Sequence, residues 1–192
     1  MKLIGVAFQI LALIGCDMAA AAVEGESPAE DSPGVHLRQT ALTTPVSQLG
    51  FSSDSDFPRV YGVLTDWDIG GVTVTIMSLR DGTASLYTTS TFGVIGGKEH
   101  RSVRQAATRY VKLAEQYVDS AKAVSNYAYP KSGQVYYYLL TYDGVRLCVG
   151  DEAAIVRGSD STRPLFAAAQ DVLTELRLTT EKENAHSEDR GD

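Results

Sequence analysis

Residues 72 to 88, VTVTIMSLRDGTASLYT, contain the strongest fold signal in the chain. Val72, Val74 and Ile76 alternate with threonines, which is the pattern of a strand with one buried face. Asp81-Gly82 follows, and Asp-Gly favours a type I′ turn because both central residues need a positive φ. The stretch therefore predicts a β-hairpin whose return strand covers residues 84 to 89.

Three further strands are predicted from similar patterns. Residues 59 to 67, RVYGVLTDW, are rich in valine, leucine and aromatic residues. Residues 135 to 142, VYYYLLTY, are apolar on both faces, which predicts a central or doubly covered strand. Asp143-Gly144 then repeats the hairpin signal and leads into a fifth strand at residues 145 to 149. Two hairpins make the predicted sheet largely antiparallel.

Two helices complete the predicted domain. Apolar residues recur at three- and four-residue steps from residue 99 to 124. Ser161-Thr162 followed by Pro164 is typical of the start of a second helix. The order β-β-β-α-β-β-α predicts an α+β fold in which a five-stranded sheet carries both helices on one face. We divide the chain into a signal peptide or mis-assigned start (1–15), an acidic flexible linker (16–36), a single α+β domain (37–178) and a charged disordered tail (179–192).

Charge and cysteine content exclude several classes of protein. The chain has 192 residues, 17 of them basic and 24 acidic, and a net charge of -7. Such a surface repels phosphate backbones, so no nucleic-acid partner is expected. Basic residues cluster only at Lys98, Arg101 and Arg104. The two cysteines, Cys16 and Cys148, do not suffice for a disulfide framework or a zinc ribbon, and Cys148 is predicted to be a small buried residue.

The N-terminus admits three interpretations. The apolar run at residues 3 to 15 is shorter than the roughly 20 residues of a spanning helix but matches a secretory signal. Residues 13 to 16, LIGC, resemble a bacterial lipobox, in which lipid is attached to the cysteine. Cys16 would then anchor a lipoprotein facing the periplasm or the cell exterior. Alternatively, Met18 is the true start of a cytoplasmic protein, or cleavage occurs within residues 19 to 22.

Several short motifs together resemble a family of small bacterial proteins with no known activity. They are LTTP at 42–45, VYGVL at 60–64, DGTASLY at 81–87, GVIGG at 93–97, LTYDGV at 140–145 and PLF at 164–166. The resemblance covers most of residues 38 to 178 and implies no catalytic residue. Members of the family begin near residue 37, which favours the Met18 start. They also carry glycine where this chain has Phe92 and Lys98.

The best candidate site is the glycine-rich stretch STFGVIGGKEH at residues 90 to 100. Glycines allow a ligand to approach the backbone, and the following helix start favours an anion. Lys98 and Arg101 would add positive charge, and His100 could act as a general base. The candidate ligand-binding residues are Thr91, Gly93, Gly96, Gly97, Lys98, His100 and Arg101. Alternatively, the glycines only provide the positive φ of a strand-to-helix turn.

The glycine stretch is not a P-loop, because that motif would need glycine at 92 and Ser or Thr at 99. The chain has Phe92 and Glu99 at these positions. Asp66 and Asp68 are interpreted as turn residues, and residues 136 to 138, YYY, as strand packing. No catalytic residue, metal ligand or cofactor is predicted.

Three functions stay open at this stage. The leading hypothesis is a non-enzymatic module that binds a protein or a small ligand and is tethered to a membrane through Cys16. The second is a small enzyme or sensor that binds phosphate or carboxylate at residues 93 to 97. The third is a homodimer.

Overall fold

The computed structural model describes residues 32–90, 93–95 and 97–188. The fold is α+β, as predicted. The strands are β1 Val60–Ile69, β2 Val72–Leu79, β3 Ala84–Thr88, β4 Gly93–Ile95, β5 Lys122–Val124, β6 Gln134–Thr141 and β7 Gly144–Asp151. The α-helices are α1 Pro33–Thr43, α2 Val46–Leu49, α3 Arg101–Ala114, α4 Glu152–Arg157 and α5 Arg163–Glu188. Short 3-10 helices at Gly97–Glu99 and Glu115–Tyr117 flank α3.

The strands form one antiparallel sheet in the order β4-β3-β2-β1-β6-β7-β5. All five predicted strands are present, and Gly82 in the turn between β2 and β3 has a φ of 86°. The prediction of a type I′ turn is wrong, because among the described residues only glycines have a positive φ and Asp81 therefore does not. The prediction of five strands is also wrong, because the described residues add β4 and β5 at the two edges. Each added strand has three residues. A strand of this length is too short to be recognised from the alternation of apolar and polar residues.

The two helices predicted from the sequence, α3 and α5, lie on one face of the sheet, but α1, which was not predicted, covers the other face. On one face, α3 and α5 enclose a core that includes Tyr110, Leu165 and Leu176. On the other face, α1 packs Leu42 into a second core. Ser32 begins α1 by accepting a hydrogen bond from the N–H of Val35. This helix therefore starts inside the segment predicted to be a linker.

The predicted ends of the two long helices also need correction. Helix α3 ends at Ala114 rather than at residue 124, and the chain then turns toward β5. Val118 and Ala121 still reach the same core as the helix, so the apolar spacing continues after the helix has ended. Helix α5 extends to Glu188, so residues 179 to 188, predicted as a disordered tail, are helical.

A buried ion pair joins α1 to the centre of the sheet. The Nε and Nη2 atoms of Arg38 donate to Oδ2 of Asp66 at 2.9 and 2.6 Å. Thr75 donates to the other carboxylate oxygen at 2.6 Å. Asp66 is fully buried in β1, so the prediction that it is a turn residue is wrong. Burial raises the pKa of the Asp66 carboxyl, although Arg38 and Thr75 act in the opposite direction.

Arg38 also holds the segment that leads into β6. Its Nη1 and Nη2 atoms donate to the carbonyls of Tyr127 and Ala128 at 3.0 and 3.2 Å. Its guanidinium lies 4.1 Å from the ring centre of Tyr129. The hydroxyl of Tyr138 donates to the carbonyl of Ala128 at 2.5 Å. One side chain of α1 thus connects the helix, β1 and the chain before β6.

Replacing Arg38 by methionine is expected to lower the free energy of unfolding by about 3–5 kcal/mol, because Asp66 then stays buried without a cation. The double variant Arg38→Met/Asp66→Asn removes both charges and keeps an acceptor for Thr75. Its loss of unfolding free energy should be much smaller than the sum of the losses in the two single variants. Urea unfolding of the four proteins measures this coupling, and strictly additive losses would contradict it.

Gly34 sets how closely α1 approaches β3. A Cβ atom at Gly34 would lie 1.9 Å from the carbonyl oxygen of Thr88. In an open helix, Gly→Ala raises stability by up to about 1 kcal/mol. Here we expect Gly34→Ala to lower it by about 1–3 kcal/mol, because α1 must move away from the sheet. Gln39→Ala, at an exposed position of the same helix, is the control and should change little. A stabilised Gly34→Ala protein in thermal unfolding would refute the close contact.

Candidate functional site

The structure brings four of the predicted site residues together at the start of α3. Lys98 lies in the 3-10 helix Gly97–Glu99, His100 is the N-cap residue of α3, and Arg101 is its first helical residue. Gly97 begins the same 3-10 helix. Gly93 lies apart from them in β4, opposite Tyr87. Thr91 and Gly96, like the predicted lipidation site Cys16, lie outside the described residues.

Gly93 does not have the left-handed conformation that a tight turn would need. Its φ lies outside the positive region, and a Cβ atom there would lie 3.2 Å from the carbonyl oxygen of Leu86. The expectation that glycines supply positive φ is therefore not met at Gly93. Gly93 instead has extended backbone, because it pairs with Tyr87 in the edge strand β4.

Lys98 is held by the β2–β3 turn. Its Nζ atom donates to Oδ2 of Asp81 at 2.5 Å, and the N–H of Thr83 donates to Oδ1 of Asp81 at 3.0 Å. Burial raises the pKa of Asp81, but these hydrogen bonds outweigh it and hold the pKa below its ordinary value. Lys98 therefore fixes the start of α3 to the sheet.

Arg104 reinforces this connection from the first turn of α3. Its Nη1 atom donates to the carbonyls of Lys98 and Glu99 at 2.7 and 3.2 Å. Its side chain passes over Gly82, where an added Cβ would lie 2.8 Å from the Cβ of Arg104. Glycine at position 82 thus serves both the turn and the close packing of the helix. The guanidinium is held in one place by the backbone.

The exposed side of α3 carries positive charge along its whole length. Its apolar side faces the sheet, and the other positions are Arg101, Ser102, Arg104, Gln105, Thr108, Arg109 and Lys112. Residues 97 to 114 contain five of the 17 basic residues of the chain and one of its 24 acidic residues. We call Lys98, Arg101, Arg104, Arg109 and Lys112 the basic face.

Neighbouring carboxylates neutralise only part of the basic face. Lys98 pairs with Asp81, and Lys112 pairs with Asp56 at 3.0 Å. Among the described residues, no carboxylate forms an ion pair with Arg101 or Arg109. These two guanidinium groups keep their hydrogen-bond donors available to a partner.

Two open grooves flank the basic face. The first has a volume of about 670 Å³ and is lined by Glu99, His100, Arg101, Ser102, Gln105, Thr179 and Lys182. The second has a volume of about 620 Å³ and is lined by Asp81, Arg104, Gln105, Thr108, Arg109 and Lys112. Helix α5 contributes Thr179 and Lys182 to the first groove, and the β2–β3 turn contributes Asp81 to the second. Gln105 lies between the two.

Reasoning from the sequence missed Arg109, Lys112 and Lys182 as parts of the site. Arg101, Arg109 and Lys112 are separated by eight and eleven positions, which places them on one side of a helix. The helical period alone therefore indicates that Arg109 and Lys112 lie on the same side of the helix as Arg101. Lys182 is far away in the chain and joins the site only because α5 packs against α3.

Three further findings concern the described part of the chain outside the basic face. Cys148 is buried, as predicted, and burial raises the pKa of its thiol. Within residues 32–90, 93–95 and 97–188, no three His, Cys, Asp or Glu side chains are grouped so that they could hold a metal ion. None of the helices described is both long enough and apolar enough to cross a membrane.

Comparisons of the chain with protein-family models, with curated proteins and with solved structures gave no match. Function therefore has to be inferred from the side chains of the site itself. The guanidinium and ammonium groups of the basic face are suited to carboxylate and phosphate oxygens.

Replacing Lys98 by glutamine should raise the pKa of Asp81 toward its ordinary value, because a hydrogen-bonding cation is lost. A carboxyl with a lowered pKa in the folded state stabilises the fold above its unfolded pKa, and this contribution disappears as the pH falls through the folded pKa. The variant should therefore lose less stability than the parent protein on acidification through that window. Carboxyl NMR titration measures the pKa directly. Lys131→Gln, at a distant exposed position, is the control, and an unchanged Asp81 pKa in Lys98→Gln would exclude the contact.

Proposed function

We propose that this protein is a non-enzymatic binding module that holds an anionic partner on the basic face of α3. The observation that carries the proposal is the segregation of charge. The exposed side of one helix is basic throughout, in a chain whose net charge is -7. A local positive field attracts anions even when the molecule as a whole repels them.

The arrangement of the arginines also supports binding of an anion. Arg101 and Arg109 are exposed and keep their planar sets of donors, which match the oxygens of carboxylate and phosphate. Arg104 is already held by the carbonyls of Lys98 and Glu99. A side chain that is ordered before binding loses less conformational entropy on contact.

A second candidate function is the binding of a small phosphorylated or carboxylated molecule in the first groove. Its volume of about 670 Å³ lies within the range of small-molecule sites. Arg101 and Lys182 both line it, whereas Arg109 lines the other groove. Lys182→Gln should therefore abolish stabilisation of the protein by such a ligand in thermal unfolding, and Arg109→Gln should not. If the anion binds on the basic face instead, Arg109→Gln should weaken its binding.

The protein is expected to bind a sulfonate cation-exchange resin at neutral pH and low salt, despite its negative net charge. The variant Arg101→Gln/Arg109→Gln should elute at clearly lower salt, because two unpaired cations of the basic face are gone. The control Lys131→Gln/Arg157→Gln makes the same change in net charge at exposed positions away from α3. It should elute with the parent protein.

Two results would contradict the proposal. If both double variants eluted at the same reduced salt concentration, retention on the resin would depend on net charge and not on the basic face. Turnover of a substrate that disappears in His100→Ala would contradict the non-enzymatic part of the proposal.

A further inference from the structure

We infer that the partner of the basic face is the surface of a lipid bilayer that contains anionic phospholipid. The inference rests on the proposed function and names its partner. It follows from the length of the basic face and from the residues between its cations.

The basic face is too long for one small anion. Arg101 and Arg109, which form no ion pair among the described residues, are eight residues apart on α3, which corresponds to about 12 Å along the helix axis. A single phosphate or carboxylate contacts the side chains around one point of this line. A plane of phosphate headgroups offers anionic oxygens along all of it.

The basic face also lacks the apolar anchors that protein interfaces use. Stable protein partners are held mainly by a few aromatic or other large side chains in a desolvated centre. On α3, the positions between the cations are Ser102, Gln105 and Thr108. Among the described residues, the exposed large hydrophobic side chains are Val149 and Val156, in β7 and α4. The basic face consists of cations and small polar groups. An extended surface of diffuse negative charge therefore matches it better than a protein partner would.

The predicted lipobox would reinforce this contact. Contact with an anionic bilayer strengthens binding by about fivefold for each basic residue near the surface. Such a contact is weak when it acts alone, but a tether raises the effective concentration. The 15 residues between Cys16 and Ser32 can span up to about 50 Å. A lipid on Cys16 and the basic face could therefore engage one membrane together.

The test is cosedimentation of the full chain with vesicles of phosphatidylcholine, with and without phosphatidylglycerol, at about 0.1 M salt, where surface charges act over about 10 Å. We expect binding that requires phosphatidylglycerol and weakens as salt is raised. Arg101→Gln/Arg109→Gln should bind about 30-fold more weakly, as expected for two lost cations. Lys131→Gln/Arg157→Gln should bind like the parent protein. Circular dichroism of each variant confirms that the fold is retained.

Three outcomes would overturn the inference. Equal binding of all variants to both kinds of vesicle would mean that the apolar N-terminal residues insert on their own. Release by inorganic phosphate at constant ionic strength would indicate a small-anion site. Tighter binding to polyglutamate than to anionic vesicles would indicate an acidic protein partner. The resin experiment separates the two proposals, since retention that depends on Arg101 and Arg109 leaves the proposed function in place.

Discussion

The ion pair between Arg38 and Asp66 is the constraint on which the two-sided architecture depends. A carboxylate with no exposure to solvent is costly unless its oxygens are matched by donors. Asp66 has both oxygens satisfied, one by Arg38 and one by Thr75. Because the cation comes from α1, this helix has to lie on the face of the sheet that carries the second core, where it packs on β3 and reaches β1 through Arg38. The sheet is thereby buried on both faces, and Leu64 and Tyr138, which belong to the second core with Leu42 of α1, are removed from water.

This architecture also explains why one side of α3 is exposed to solvent. Its apolar side is occupied by the sheet and by α5, while α1 covers the opposite face. The exposed side of α3 is therefore not needed for the core. Lys98 and Arg104 tie its first turn to the β2–β3 turn, so the cations are presented from a fixed element. Glu115 and Asp119, just beyond the helix, pair with Arg59 and mark the end of the basic face.

What could be predicted from the sequence was local. The Asp-Gly turns and the apolar strand at β6 are encoded in neighbouring residues, and they are present in the structure. Helix α1 was not predicted, although Ser32-Pro33 is a recognisable helix start. Only Arg38 and Leu42 are buried along it, so its sequence has no apolar stripe of helical period. The role of Asp66 depends on a cation 28 residues away. Lys98 and Arg101 were found beside the glycines, but Lys182 is brought to them by helix packing.

For the proposed anionic partner, the charge distribution also favours one orientation of the molecule. Outside residues 97 to 114 the chain carries 23 acidic and 12 basic residues, so an anionic surface repels the net charge of the rest of the molecule. Attraction at one face and repulsion elsewhere act together, because specificity is a difference between the favoured contact and its competitors. A uniformly basic protein would bind such a surface in many orientations. In this molecule the net negative charge of the remainder disfavours the other orientations, so the proposed anionic partner would approach at α3.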